Sequence, residues 1–312
     1  MTPKLDSHRF AIIVPHRDGT DLLRSTLSAA LLADSGADVI VVVDNASTDG
    51  SPELLANEFP AVRWIRNDRN RGFAAACNQG ARLVRSRYLL FLNSDAALPP
   101  HALDRLVEFF ERTPRAGEVG CRLVGPDGRP QRATAPAPDL LSESGLRKRV
   151  PRGFCDPSAV SQVGVLVGAC VAMPRAVFER VQGWDEDFFF YEEDTDLSVR
   201  VREAGHDVWY LSDLEIVHGR GVATRGVRLP AQLEAVRSRF TYICKHFPPI
   251  VASLLCCARV LSILFATTGA LAGVLATFGL VRGLRTRASR SLVTLLWVML
   301  LMRPRWSLSG RA

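Results

Sequence analysis

The stretch Tyr88-Leu89-Leu90-Phe91-Leu92-Asn93-Ser94-Asp95-Ala96-Ala97 decides how the chain is read. Five large apolar residues in a row predict a buried strand, ended at once by polar residues and the breakers Pro99 and Pro100. Such a strand delivers Asn93 and Asp95 to its carboxyl end, the edge at which open α/β sheets bind ligands. A carboxylate there, close to an amide, suits a hard divalent cation that also holds a substrate's phosphates. On this stretch alone, Asp95 could equally cap a helix opening near Pro99.

Working outward, residues 10 to 112 alternate between short β-rich runs and helical patterns. Strands are predicted at Phe10–Val14, Val39–Val43, Val62–Ile65 and Tyr88–Leu92, with helices near Thr20–Ala33, Pro52–Phe59 and Phe73–Arg85. Ser51 followed by Pro52 fits a helix cap with proline at the first helical position. The run Val-Ile-Val-Val-Val at 39–43 is apolar on both faces, which implies a mostly parallel α/β sheet covered by helices on each side. That architecture does not by itself name an activity.

A chain of 312 residues with 47% hydrophobic and 23% charged residues can bury a substantial core, so disorder is not expected. The net charge of +7 is carried almost wholly by arginine, since Lys4, Lys148 and Lys245 are the lysines. Basic chains suit nucleic acids, anionic lipids or phosphorylated small molecules. Without a helix-turn-helix, zinc-finger or aromatic RNA-binding signature, nucleic acid is the least favoured partner. Seven scattered cysteines with no C-x-x-C pair read as buried free thiols of a reducing compartment. Met1–Arg9 is polar and Phe10–Val14 too short for a signal-peptide core, so no secretory signal is expected.

The loop Asp44-Asn45-Ala46-Ser47-Thr48-Asp49-Gly50-Ser51 follows the second strand. Asp49, Gly50 and Ser51 are accounted for by turn and cap chemistry. Asp44 and Asn45 stand where they could bond a base or ribose. The segment from Asn70 through Gly72 and Phe73 to Asn78 opens a helix with small residues, which allows a phosphate close approach to a helix amino terminus. There is no G-x-G-x-x-G and no Walker loop, which counts against dinucleotide enzymes and P-loop NTPases. From Gly125 to Ser161 six prolines and the basic residues Arg147, Lys148, Arg149 and Arg152 predict a long irregular insert, assigned to acceptor binding or a mobile cover.

The densest chemistry lies in Gly183–Leu197, where seven carboxylates share fifteen residues with five aromatics. Most of these acids are expected to be solvated or to serve a helix dipole. Asp194 falls on the apolar stripe of Leu197, Val201 and Ala204 along a helix over Glu192–Ala204, with Asp196 roughly opposite. A carboxylate at the start of that stripe points into a pocket, where a general base belongs. The helix amino terminus should keep it ionised. Past the edge-like strand after Asp207, His218 is followed by Gly219, which leaves room for a metal role beside the commoner structural one.

Together these motifs resemble the inverting family 2 glycosyltransferases of the GT-A fold, in particular rhamnosyltransferase-like members, over roughly residues 9 to 246. Two departures stand out: Val165-Leu166-Val167 where relatives often carry Trp, and Pro15-His16-Arg17 where they run into Thr-Tyr-Asn. The resemblance implies transfer of a sugar from a nucleoside-diphosphate donor, dTDP-rhamnose by preference, to a hydroxyl of a cell-envelope or lipid-linked glycan. UDP-galactofuranose, UDP-hexoses and GDP-sugars are the alternative donors, and a membrane protein that binds a nucleotide sugar without catalysis is the alternative function. It implies Asp194 as base with Glu193 beside it, and donor contacts from Pro15, Asp44, Asn45, Asn70, Gly72, Asn78, Asn93 and Asp95. It further implies acceptor contacts from Gly168, Trp184 and Asp185, and Mg2+ or Mn2+ held by Asp95 and His218. Residues 1–228 would form the catalytic domain and 229–312 a helical membrane-associated region.

In that region Val260–Val281 is an uncharged run of 22 residues, long enough for a bilayer core of about 30 Å. Ser291–Met302 is too short to cross comfortably. Arg237, Arg239, Lys245 and His246 precede the apolar region, Arg282, Arg285, Arg287 and Arg290 interrupt it, and Arg303 and Arg305 follow. A single crossing would put the interrupting arginines outside, against the positive-inside tendency. The expectation is therefore a monotopic or re-entrant attachment to the cytoplasmic face, bent near Gly269 or Gly273.

Overall fold

The structure is a computed structural model and describes residues 10–33, 39–151, 153–219, 228–278 and 280–301. Arg152, Met302, Arg303 and Arg305 lie outside these residues. The first part runs β1 (Phe10–His16), α1 (Thr20–Ala33), β2 (Val39–Asp44), α2 (Ser51–Glu58), β3 (Arg63–Arg66), α3 (Phe73–Arg82) and β4 (Tyr88–Leu92). Then follow β5 (Ala96–Ala97), α4 (Ala102–Arg112), β6 (Ala116–Val124), β7 (Pro130–Gln131), β8 (Thr134–Ala135) and α5 (Leu140–Ser144). The next group is β9 (Ser161–Gln162), β10 (Val165–Leu166), β11 (Cys170–Pro174), α6 (Arg175–Arg180), α7 (Glu193–Glu203) and β12 (Asp207–His218). The chain closes with α8 (Arg228–His246), α9 (Pro249–Ala276) and α10 (Arg282–Leu301).

The main sheet has the order β3-β2-β1-β4-β11-β6-β12-β5. β1 lies parallel between β2 and β4, and β3 joins β2 in parallel. β11 enters antiparallel between β4 and β6, which makes the sheet mixed. β1, β2 and β4 are buried on both faces, as their unbroken apolar runs require, whereas the edge strand β3 is partly exposed. Fully buried residues such as Phe91 and Leu90 contribute about 1.5–3 kcal/mol each.

Several elements differ from the sequence reading. The strand after Asp207 is no edge: β12 pairs with β6 on one side and with β5 and β9 on the other. Its alternation of buried and exposed residues reflects one solvated face. α2 starts at Ser51 with Gly50 as its cap, and α4 starts at Ala102 with His101 as its cap. Asp95 therefore caps no helix. The 125–161 excursion holds short elements instead of a loose cover. Asp139 forms a capping box on α5, and Asp156 accepts the N–H groups of Ala133 and Thr134 at 2.8 and 2.9 Å. All seven cysteines are free, as expected, but Cys155, Cys244 and Cys257 are exposed where burial was expected.

α9 passes unbroken through Gly269 and Gly273, and the chain reverses only after Ala276, so that α10 packs back on α9. The start of α9 is anchored to the catalytic part: Arg259 donates to the carbonyls of Glu143 and Ser142 at 2.9 Å each.

Candidate functional site

The carboxyl ends of β1, β2 and β4 bring the expected donor residues to one edge. Asp44 is fully buried. Its Oδ1 accepts from the N–H and hydroxyl of Ser47, and its Oδ2 has no hydrogen-bond partner. Arg66 Nε is an ion-pair neighbour 3.7 Å from that oxygen, beyond hydrogen-bond reach, so a buried acceptor still stands available to a ligand donor group. Pro15 lies one register step behind, and His16 stands beside Asp44 on the neighbouring strand. Burial holds the His16 imidazole below its ordinary pKa. Asn45 is spent within the chain, donating to Gly72 O at 3.0 Å and accepting from Asn67 at 2.9 Å. It shapes the Asn70–Gly72 loop. Asp49 caps α1, accepting from the N–H groups of Gly19 and Thr20. Burial works to raise its pKa, but the bonds from Ser51, Gly19 and Thr20 outweigh it and hold the carboxyl well below the usual range.

Asn70 Oδ1 accepts from Gly72 N, and Gly72 sits at φ 87 with a hypothetical Cβ only 2.6 Å from Phe189 O. Glycine is required there by both backbone and space. Two expected ligand contacts prove to be scaffold. Asn78 is buried and fully used, gripping Trp184 through its backbone N–H and carbonyl at 3.0 and 2.8 Å. Trp184 is 1% exposed and packs edge-on to Phe73 and Phe91, so it belongs to the core and not to an acceptor surface. Asp185 is ion-paired to Lys245 at 2.5 Å.

At the end of β4, Asp95 meets His218 from the end of β12. Gln131 Nε2 donates to His218 O at 2.8 Å, so its Oε1 must accept the Nδ1 proton 3.0 Å away. That tautomer leaves Nε2 as a lone-pair atom 3.3 Å from Asp95 Oδ1, with the Asn93 amide 3.3 Å away. A carboxylate oxygen and an imidazole lone pair that converge in this way fit a divalent cation. Among the described residues no group of three or more His, Cys, Asp or Glu side chains surrounds one point. Gln131, which fixes the tautomer, carries no recognisable signal in the sequence.

Asp194 opens α7 beside the same edge. Thr195 N donates to its Oδ1 at 2.7 Å and Gly168 N to its Oδ2 at 3.2 Å, while the neighbouring Ala169 O accepts from Asn93 N. Of the six acids around it, Glu192, Glu193 and Asp196 are buried, Asp185 is half-buried, and Glu186 and Asp187 are exposed, yet five of the six are ion-paired. Asp185 and Asp187 pair with Lys245, Glu186 with Arg82, Glu192 with Arg149 and Arg239, and Asp196 with Arg200 and His246. Among the described residues, Glu193 and Asp194 are the acids of this segment with no ion pair. Burial pushes the Glu193 carboxyl well up, with Asp194 adding to it. Burial first, then Glu192, also raises Asp194 above an ordinary aspartate, against the pull of the Thr195 and Gly168 amides and of Arg149. The helix terminus thus does not set the direction of the shift; burial does. Glu118, buried on β6, is pushed up to about 8 by burial, with Asp194 among its charged neighbours. Just before α7, Tyr191 and Glu192 both adopt left-handed backbone, at φ 70 and 68. That strain costs of order 1–3 kcal/mol per residue.

The family model "Glycosyl transferase family 2" matches residues 11–182, more than half of the chain. The chain belongs to this family. It is a glycosyltransferase. An N-acetylglucosaminyl-diphospho-decaprenol L-rhamnosyltransferase of Mycobacterium tuberculosis (strain ATCC 25618 / H37Rv) is 28% identical over 256 residues, 74% of this chain and 82% of that protein. The O-antigen biosynthesis protein RfbC of Myxococcus xanthus is 30% identical over 243 residues, 73% of this chain but 18% of that protein. A mannosyltransferase from Pyrobaculum calidifontis in complex with GDP-Man and Mn2+ shares the fold, with TM-score 0.58 and 19% identity over 95% of this chain and 88% of that chain.

Asp196 is a further correction. It faces away from the apolar stripe, yet it is 1% exposed because α8 covers that side of α7. Burial works to raise its pKa, but bonds from His246 and Arg200 outweigh it. Asp196→Asn should therefore cost about 3 kcal/mol of stability, since it strands Arg200 in a buried pair. Asp213→Asn, in the exposed pair with Arg105, should cost less than about 1 kcal/mol. Denaturant unfolding checks both. The Asp196→Asn deficit should be full at neutral pH and shrink only as pH falls below the ordinary aspartate value of about 3.9, toward the depressed value of the native carboxyl.

Proposed function

We propose that this glycosyltransferase moves a sugar, with inversion, from a nucleoside diphosphate to a hydroxyl of a lipid-linked or cell-envelope glycan, with dTDP-rhamnose as first-choice donor. The observation that carries the reading is that Asp194, alone with Glu193 in a crowd of paired acids, has no counter-ion and lies at the ligand edge of the sheet. The substrate named in the Mycobacterium tuberculosis relative supports the lipid-linked acceptor and the rhamnosyl donor.

Asp44 Oδ2 would accept a proton donor of the nucleoside, and the Asn70–Gly72 turn would admit the diphosphate to the start of α3. Asp95 and His218 would hold Mg2+ or Mn2+, which neutralises charge gathering on the leaving diphosphate. Asp194 accepts the proton of the acceptor hydroxyl as that oxygen bonds to the anomeric carbon. The bond to the diphosphate breaks on the opposite face, and a single displacement inverts the configuration. A raised carboxyl pKa makes Asp194 a stronger base, an effect of about 10²–10⁴-fold when well positioned. The ties from α8 to the acid segment extend the catalytic unit past residue 228 to His246.

We also propose that the α9–α10 hairpin lies in the cytoplasmic leaflet. α9 has a mean hydropathy of 2.2 in its most apolar window, only 22% of that window is buried, and Phe265 and Leu275 are largely exposed.

Two experiments test these readings. Turnover and donor-induced thermal stabilisation are measured with dTDP-, UDP- and GDP-sugars, with and without Mn2+ or Mg2+. Asp194→Asn should lose turnover by at least about 10²-fold while keeping donor binding, and Asp95→Ala should lose the metal dependence. In the wild type, turnover should rise with pH through a limb above the ordinary aspartate range, because the base must be ionised. Near-normal turnover in Asp194→Asn sinks the assignment. For the hairpin, a cysteine at Thr286 in a chain lacking the exposed cysteines should react with an impermeant reagent in opened vesicles but not from outside intact cells. Labelling only from outside would mean that the chain crosses.

A further inference from the structure

The backbone leading into α7 is strained at Tyr191 and Glu192, and something must hold it. Glu192 is buried at 9% exposure between two guanidiniums. Its Oε2 lies 2.6 Å from Arg149 Nη1 and its Oε1 2.6 Å from Arg239 Nη2. Both arginines also grip Glu143, fully buried on α5, at 2.7 and 3.0 Å. Arg149 reaches on to Thr195 Oγ1 at 3.1 Å, and Thr195 is the residue whose N–H holds Asp194. From α8, Ser238 donates to Phe190 O at 2.9 Å, one residue before the strained pair. Two cations and two anions thus close a balanced square from three distant segments: the 125–161 excursion, the acid segment and α8.

We infer that Arg149, Glu192 and Arg239 are positioning residues for this transferase, clamping the left-handed turn that sets Asp194 against Gly168. The inference rests on the reading of Asp194 as the base. A square that served stability alone could sit anywhere on the surface of α8. This one bonds the residue before α7 and the residue after Asp194, so it holds the backbone on both sides of Asp194. It also sets the charge seen by the base. Asp194 faces Glu192 and Glu193 on its own segment, Arg149 from the excursion and Glu118 from β6, while Glu234 and Arg239 of α8 act on Glu193 and Glu192, and Tyr242 of α8 and Arg259 of α9 face the square itself. Removing Arg149 takes away a cation near the base, and removing the Glu192 charge takes away an anion.

The test is steady-state kinetics of the full chain with the donor that turns over in the panel above, across pH, for Arg149→Gln, Arg149→Lys, Glu192→Gln and Asp194→Asn. Arg149→Gln and Glu192→Gln should each lower kcat about 10–100-fold, with donor KM within about twofold because Asp44 and Asp95 are untouched. Arg149→Lys should recover part of the loss. The acid limb of kcat should move to higher pH in Arg149→Gln and to lower pH in Glu192→Gln. Wild-type kcat in either variant, or a loss that only tracks the folded fraction with an unmoved limb, overturns the clamp. If the glutamine variants do not fold, Arg149→Lys and Arg239→Lys decide: peptide 188–197 should exchange amide hydrogens faster than in wild type at unchanged global stability, and unchanged local exchange overturns the clamp. Failure of the base assignment looks different, because Asp194→Asn then keeps its turnover whatever the clamp variants do.

Discussion

A carboxylate taken out of water must find a cation, a set of hydrogen bonds or a proton, and the start of α7 is built around that constraint. Five of the seven acids between Gly183 and Leu197 find cations, from Arg82, Arg149, Arg200, Arg239, Lys245 and His246. Glu193 and Asp194 do not, and their carboxyls are the ones driven upward. The pairing of the neighbours is what makes the two exceptions chemically distinct. Backbone amides of Gly168 and Thr195 then orient Asp194 without neutralising it.

The same pairing joins the parts of the molecule. Three of the six cationic residues lie on α8, so the carboxyl-terminal helices hold the catalytic segment in place as well as extending the chain. Arg259, on the apolar helix α9, is bonded to the carbonyls beside Glu143, and Glu143 holds Arg149 and Arg239. A continuous set of contacts thus runs from the exposed apolar helix to the residues that flank Asp194. On the opposite side, Asn78 grips the backbone of Trp184 and Gly72 touches Phe189. The acid segment is consequently held between α3 and α8.

Much of this was legible in the sequence where the physics is local. Tyr88–Leu92 announced a buried strand and set Asn93 and Asp95 at its end, and the helical stripe of Leu197 and Val201 picked out Asp194. What could not be read depends on partners far along the chain. A helical wheel turns Asp196 toward solvent, and only the arrival of α8, some fifty residues on, buries it. Asn78 and Trp184 look like ligand contacts by type, yet they satisfy each other across 106 positions. Burial also moves the Asp194 carboxyl upward where a helix amino terminus alone would move it down, because a wheel counts neighbours on one helix and not the walls around it. Arg149 was visible only as one of several basic residues in a proline-rich stretch, with nothing local to separate it from Arg147 or Lys148.

The most direct test of this account is a carbonyl-detected NMR titration of Asp194 in the full chain, assigned by comparison with Asp194→Asn. The carboxyl signal should titrate with a midpoint clearly above the ordinary aspartate value of about 3.9, while that of Asp196 should titrate below it. A midpoint for Asp194 at or below the ordinary value would contradict the central claim. It would mean that the helix terminus and the nearby cations, not burial among unpaired acids, set the charge of this residue.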